Sequence, residues 1–260
     1  GDEAGTAITT GDNNTALGYQ AGAAVNTGAG NTLIGYQAGD VLTTGNDNVA
    51  VGQTALSADT LGSNSVAIGG AALQKQNFTS GTDVYNVAVG RSAGKEVTTG
   101  IQNTLIGGLA GDAITTGDNN VALGYEALTA NIVGDRSTAL GNFALKSQNP
   151  SSNADMYNVA IGHNAGGDVT TGISNTLIGG LAGDALTDAD HNVAIGQSAL
   201  TTDTKGSKNT AVGHSALESQ NFTTSTSSYN TAIGSDSAKS ITTGIANTII
   251  GSSAGDSLTD

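Results

Sequence analysis

The chain has 260 residues, a formal charge of −14, 39 glycines, one proline and only 3% aromatic residues. Large apolar side chains are too sparse for a thick globular core, yet 37% hydrophobic content is too much for a disordered chain. The negative charge opposes nucleic acid and anionic membranes, no apolar run reaches a membrane span, and the lack of cysteine excludes disulfides and thiolate metal sites.

In chain order, a short phrase recurs: Asn14–Gly18, Asn31–Gly35, Asn48–Gly52 and Ser65–Gly69. Its glycine returns at Gly90, Gly107, Gly124, Gly141, Gly162, Gly179, Gly196, Gly213, Gly234 and Gly251. The spacings run 17, 17, 17, 21 and repeat, which makes fourteen coils grouped in fours as a 72-residue super-repeat.

Each place in the coil has fixed chemistry. Asn or Ser stands four residues before the glycine, then Thr or Val. Ala follows, except in the second coil of each group, where Leu33, Leu105, Leu177 and Ile249 stand. Leu, Ile or Val precedes the glycine. Ala comes three residues after it in thirteen coils, with Ser237 the exception, and the next place reads Gly, Gly, Leu, Leu through each complete group. Inner bulk alternates: Leu56, Leu73, Leu128, Leu145, Leu200 and Leu217 in third and fourth coils, but Val25, Leu42, Val97, Ile114, Val169 and Leu186, three places further on, in first and second coils.

β-Branched residues in a short run ended by glycine predict strands, and 17 residues are too few for a paired-helix repeat. A unit this small buries its apolar face only against its neighbours. The expected fold is all-β: a parallel β-solenoid, or β-roll, over 1–260 as a single array. In-register stacking at ~4.8 Å per coil would give a rod of about 65–70 Å, with every place forming a ladder. An Asn ladder can bond its amides up and down the stack.

The strand segments are apolar on both faces, as in Val87–Val89 and Thr176–Ile178. Alternation sends one face inward and leaves the other needing a partner, such as the opposite wall of the coil or a parallel copy of the chain. A homo-oligomer about the rod axis suits it best.

Asn48–Gly52 followed by Ala55, and Asn192–Gly196 followed by Ala199, resemble the head repeats of YadA-type trimeric autotransporter adhesins. Asn14–Ala21 and Asn31–Ala38 are still more similar to the Asn-Thr-Ala-Ile-Gly-Tyr-Gln-Ala repeats of phage tail fibres. The resemblance runs over the whole chain and implies a left-handed β-roll, three chains side by side, and attachment to a cell or matrix from a virion or bacterial surface. The coils here are longer than those of the adhesin heads.

The 21-residue coils carry enlarged loops that open on a Gln-Asn pair and close on a tyrosine. The candidate receptor contacts are Gln76, Asn77, Phe78 and Tyr85; Gln148, Asn149 and Tyr157; and Gln220, Asn221, Phe222 and Tyr229. Amides with aromatics suit a sugar, by hydrogen bonding and stacking. The competing reading tucks each tyrosine over the core edge. Tyr19, Tyr36 and Tyr125 sit on a variable, exposed wall.

Asp40, Asp112, Asp184 and Asp256 recur four coils apart, too far to share an ion, and His163, His191 and His214 form no metal set. No phosphate loop, nucleophile elbow or carboxylate pair is present, so no cofactor, metal or catalysis is expected. The Thr-Thr pairs, such as Thr43-Thr44, would put one hydroxyl of each pair on a face, a weak ice-binding pattern. Gly1-Asp2-Glu3 and the break at Leu258-Thr259-Asp260 suggest a segment of a longer fibre. The alternative is an extracellular filament subunit joined end to end without a receptor.

Overall fold

The computed structural model describes residues 1–260 and is a parallel β-solenoid without helices. The chain divides into two compact units, Gly1–Glu126 and Ala127–Asp260. Seven three-residue strands stack in the first unit, from Thr15–Leu17 to Val121–Leu123, and seven in the second, from Thr138–Leu140 to Thr248–Ile250. Pairing is parallel and in register: Val51 opposes Ile68, and Ile68 opposes Val89. The expected columns are therefore real.

The middle residue of each inner three-residue strand, Ala or Leu, is buried, and Ala16 and Ile249 in the first and last strands are half-buried, while the flanking Thr/Val and Leu/Ile/Val residues point outward. The Asn place forms the expected ladder. Asn31 Oδ1 accepts the Asn48 backbone N–H at 3.0 Å and its Nδ2 at 3.2 Å, while Asn48 Nδ2 also donates to the Gly62 carbonyl at 2.9 Å. Each amide thus satisfies its own polar atoms and a buried backbone group, a hydrogen-bond arrangement worth about 1 kcal/mol per bond and costly to break.

The repeat glycine is needed for two reasons. Gly179 has φ +135, and a Cβ there would stand 2.5 Å from the Gly196 carbonyl oxygen of the next coil. Beyond the glycine the turn is left-handed again at two places, the second filled by Gly or Leu and once by Ala238. Leu56, Leu128 and Leu200 adopt φ of 53, 55 and 54, a conformation that disfavours L-residues by about 1–2 kcal/mol. Hydrogen bonds between coils offset the strain, such as Leu56 N–H to the Ala72 carbonyl at 3.0 Å.

The alternation of bulk has a geometric cause. Leu33 lies in the notch left by Gly22 and Gly39, where a Cβ would approach its δ-methyls to 2.6 and 2.8 Å. Leu177 fills the same notch between Gly166 and Gly183, at 2.6 and 2.7 Å. In third and fourth coils the strand residue shrinks to Ala and the turn place grows to Leu, so the narrow core stays filled. At Ala238, where the notch is partly closed, the strand residue opposite is Ile249, with one δ-methyl where leucine has two.

Gly179→Ala should therefore lower stability by about 3 kcal/mol or more, through strain and backbone collision. Gly180→Ala, whose Cβ would meet nothing within 4 Å, should stay within about 0.5 kcal/mol of the parent. Chemical denaturation of the two variants checks the contrast.

Candidate functional site

The enlarged coils divide the sequence candidates by environment. Gln76, Gln148 and Gln220 are fully buried, 0% exposed in each case, and cannot meet a receptor. They occupy the place that Val25 and Leu42 hold in first and second coils, an inner position. Gln76 Nε2 donates to Asp59 Oδ2 at 2.6 Å and Ser65 Oγ at 2.9 Å, and its Oε1 accepts from Asn86 Nδ2 at 3.0 Å. It thereby spans the gap where Ser65 interrupts the Asn ladder. Gln220 bonds Asp203 and Asn230 in the same way. Phe78 and Phe222 are also buried, and Pro150 takes their place in the second loop. Gln76, Gln148, Gln220, Phe78 and Phe222 are thus core, which corrects the reading of those five residues as receptor contacts.

Asp59 and Asp203 are fully buried as well. Asp59 Oδ1 accepts the N–H groups of Gly62 and Phe78 at 3.0 and 3.2 Å, so hydrogen bonds stand in for water around the carboxylate. Sequence reasoning missed this pair. The signal lay in their spacing, since both Asp59 and Gln76 fall seven residues after a repeat glycine, where aliphatics stand elsewhere.

Asn77 and Asn149 are exposed and Asn221 is half-buried. Thr60 and Thr204 hydroxyls donate to Asn77 Oδ1 and Asn221 Oδ1 at 3.1 and 3.2 Å. Tyr85, Tyr157 and Tyr229 are open to solvent, the last at 55%, so they do not cover the core edge. All three have φ of 52 to 56, in a left-handed column that aims side chains outward. The residue one coil earlier in this column lies beside each of them.

In the first unit Asn64 Nδ2 donates to Asp83 Oδ1 at 2.9 Å, next to Tyr85. In the second unit Arg136 forms an ion pair with Asp155 and stands 5.8 Å from the Tyr157 ring centre, while the Tyr157 hydroxyl donates to Asp155 at 3.1 Å. The Asp155 charge in turn holds the Arg136 guanidinium further above its usual range. Lys208 lies 5.0 Å from the centre of the Tyr229 ring and donates to its hydroxyl oxygen at 3.1 Å. That bond, helped by one from Ser227, holds the Tyr229 hydroxyl below the usual phenol range. A groove of about 340 Å³ opens beside Lys208, reaching Asp188, Asp190 and the loop residues Ser225 to Ser227.

The other candidates lie apart. Tyr19 and Tyr36 stack at 5.4 Å on the exposed wall. His163, His191 and His214 are exposed, and no group of three or more His, Asp or Glu converges on a metal position. The first Thr of each pair binds the next coil, as Thr43 does to the Thr60 carbonyl at 2.9 Å, and the second faces water. No helix is long and apolar enough to cross a membrane.

Gln76→Ala leaves Asp59, Ser65 and Asn86 short of partners and should lower stability by about 2–4 kcal/mol, against about 0.5 kcal/mol or less for Asn77→Ala, measured by denaturant unfolding. A second expectation concerns Asp40, whose Oδ1 is buried without a hydrogen-bond partner. Burial raises its pKa, so the folded state favours the protonated acid. Its contribution is favourable below the ordinary Asp pKa of about 4 and is lost as pH rises through the raised folded value. Asp40→Asn should raise Tm by about 2 °C or more at pH 7 and leave it unchanged at pH 3.

No protein-family model matches the chain, and no curated protein matches its sequence.

Proposed function

We propose that the chain is a structural and adhesive fibre segment, assembled as a parallel homotrimer outside the cell and attaching a virion or bacterial surface to a cell or matrix. The observation that carries the reading is the outward face of the strands. Its two columns contain only Thr, Val, Leu and Ile, with no charged residue, in a protein whose net charge is −14. Leu123 in the first unit and Leu140 in the second are 42% and 39% exposed.

A solvated sheet face is ordinarily polar, and a contiguous apolar surface ordinarily marks an interface. A second copy of the chain fits this one by symmetry, because each copy offers the same columns at the same spacing. Acidic walls elsewhere keep such an assembly soluble. The similarity to tail-fibre and adhesin-head repeats supports three copies and a role in attachment. The exposed tyrosine column supports a surface receptor, glycan or protein, met along the loop edge. Rigid scaffolds that carry variable edge residues are suited to binding, and nothing in the proposal calls for catalysis or a cofactor.

Light scattering on the purified chain should give three times 25.4 kDa. Ile178→Lys with Ile195→Lys, both outward-facing, should shift the mass to the monomer while circular dichroism stays strand-like. A monomeric parent chain would sink the trimer. Attachment is checked separately, by the binding of the labelled chain to whole cells, which the trimer should show and the doubly substituted chain should lose.

A further inference from the structure

We infer that the groove at the third enlarged loop is a binding site for a neutral pyranose unit of a glycan, with Lys208 and Asp188 as its polar contacts and Tyr229, beside Lys208, as a stacking surface at its edge. The inference rests on the attachment reading for its biological role, and on the groove alone for its chemistry.

The three enlarged loops differ at the place seven residues before the glycine. Asp83 and Asp155 stand there in the first two, and Ser227 stands there in the third. Asp83 takes the amide of Asn64, and Asp155 takes both Arg136 and the Tyr157 hydroxyl. Those carboxylates tie down the neighbouring side chains. In the third loop Lys208 has the Tyr229 hydroxyl as its partner, with serine in place of the carboxylate. The smaller residue accompanies an open groove of about 340 Å³, at the small end of the range for small-molecule sites.

The lining suits a polyol. Asp188 is held by Lys205 at 3.6 Å and by the Ser225 hydroxyl at 3.3 Å, which fixes the carboxylate as an acceptor for sugar hydroxyls. Lys208 is a donor on the facing coil, and Ser227 and Thr226 offer hydroxyls of either sense. Tyr229 stands outside the lining, at the groove's edge: the Lys208 ammonium covers one face of its ring at 5.0 Å, and the ring, 55% exposed, leaves the other face to the C–H face of a pyranose. Asp188 and Asp190 line the groove together with one lysine, Lys208, and His191, so a carboxylate on the ligand would face two charges of its own sign against the single ammonium of Lys208, in a protein of charge −14. A neutral sugar meets no such repulsion.

The test is saturation-transfer NMR on the full chain, with free glucose, galactose, mannose and N-acetylglucosamine, and with glucuronic acid and N-acetylneuraminic acid as acidic probes. Transfer is expected to the ring protons of at least one neutral sugar at about millimolar affinity. Tyr229→Ala should cut it about tenfold. Ser227→Asp should do the same with the ring in place, since it supplies the carboxylate found in the other loops. Tyr85→Ala and Tyr157→Ala should leave it unchanged. Transfer to the acidic sugars alone, transfer to none of the six, or full transfer in Ser227→Asp would each overturn the assignment. Cell attachment measured in parallel separates the two readings. Attachment absent while the sugar still binds sinks the adhesive role and leaves the groove; attachment retained without sugar transfer does the reverse.

Discussion

Each residue in this chain must tolerate a counterpart directly above and below it, at the spacing of parallel strands. That single constraint decides which side chains appear inside. Asparagine carries a donor and an acceptor, so a column of it is self-satisfying, and the ladder from Asn14 through Asn31 to Asn48 uses both. A carboxylate has no donor, so a column of Asp would repel itself. Where Asp59 is buried, its neighbour in the stack is Gln76, which supplies the missing N–H. Glycine at the strand end meets the same limit in space, because any Cβ at Gly179 would strike the next coil's backbone.

The narrow core follows from this spacing. A coil cannot hold large residues at every inner place, so bulk is rotated between places. Leu33 needs Gly22 and Gly39 beside it, and Leu56 is accompanied by Ala50 in the strand of its own coil. Leucine in a left-handed turn is tolerated at Leu56 because the coil above and below bonds both sides of that turn. Strain of about 1–2 kcal/mol per residue is acceptable only where stacking leaves no alternative conformation.

Periodicity made the fold legible. The glycine spacing, the Asn place and the alternating apolar strand residues led directly to the solenoid, its register and the two-sided apolar strand. Reading the loops was harder, for a physical reason. An amide beside an aromatic looks like a surface motif in isolation, and Gln76-Asn77-Phe78 was read that way. Its meaning depends on phase: Gln76 falls on the inner column, Asn77 on the outer one. The tyrosines are legible as loop closures and candidate contacts, but the left-handed column that holds them is not, because non-glycine residues at positive φ leave no mark in residue identity. The partnership between Leu33 and two glycines in different coils was equally hidden, since each looks like an independent preference.

A repeat this regular makes departures from the pattern informative, and most of them occur in compensated sets. Ala238 closes part of a notch, and Ile249, whose bulk is branched at Cβ with a single δ-methyl, stands in the strand in place of leucine. Ser65 breaks the Asn ladder, and Gln76 bridges it. In the third group Asn209 returns where Ser65 and Ser137 stood, and Ser228 replaces the larger Val84 and Met156; the Ser228 hydroxyl donates to Asn209 at 2.8 Å. Each set preserves volume or hydrogen bonding, as a structural requirement demands. Ser227 is compensated only by neutral bonding, since it and Lys208 both bond the Tyr229 hydroxyl. It removes the carboxylate that pins its counterparts and leaves Lys208 beside an open groove. A charged pin is thus exchanged for a neutral one beside an open groove, and that exchange is the departure on which the proposed sugar site rests.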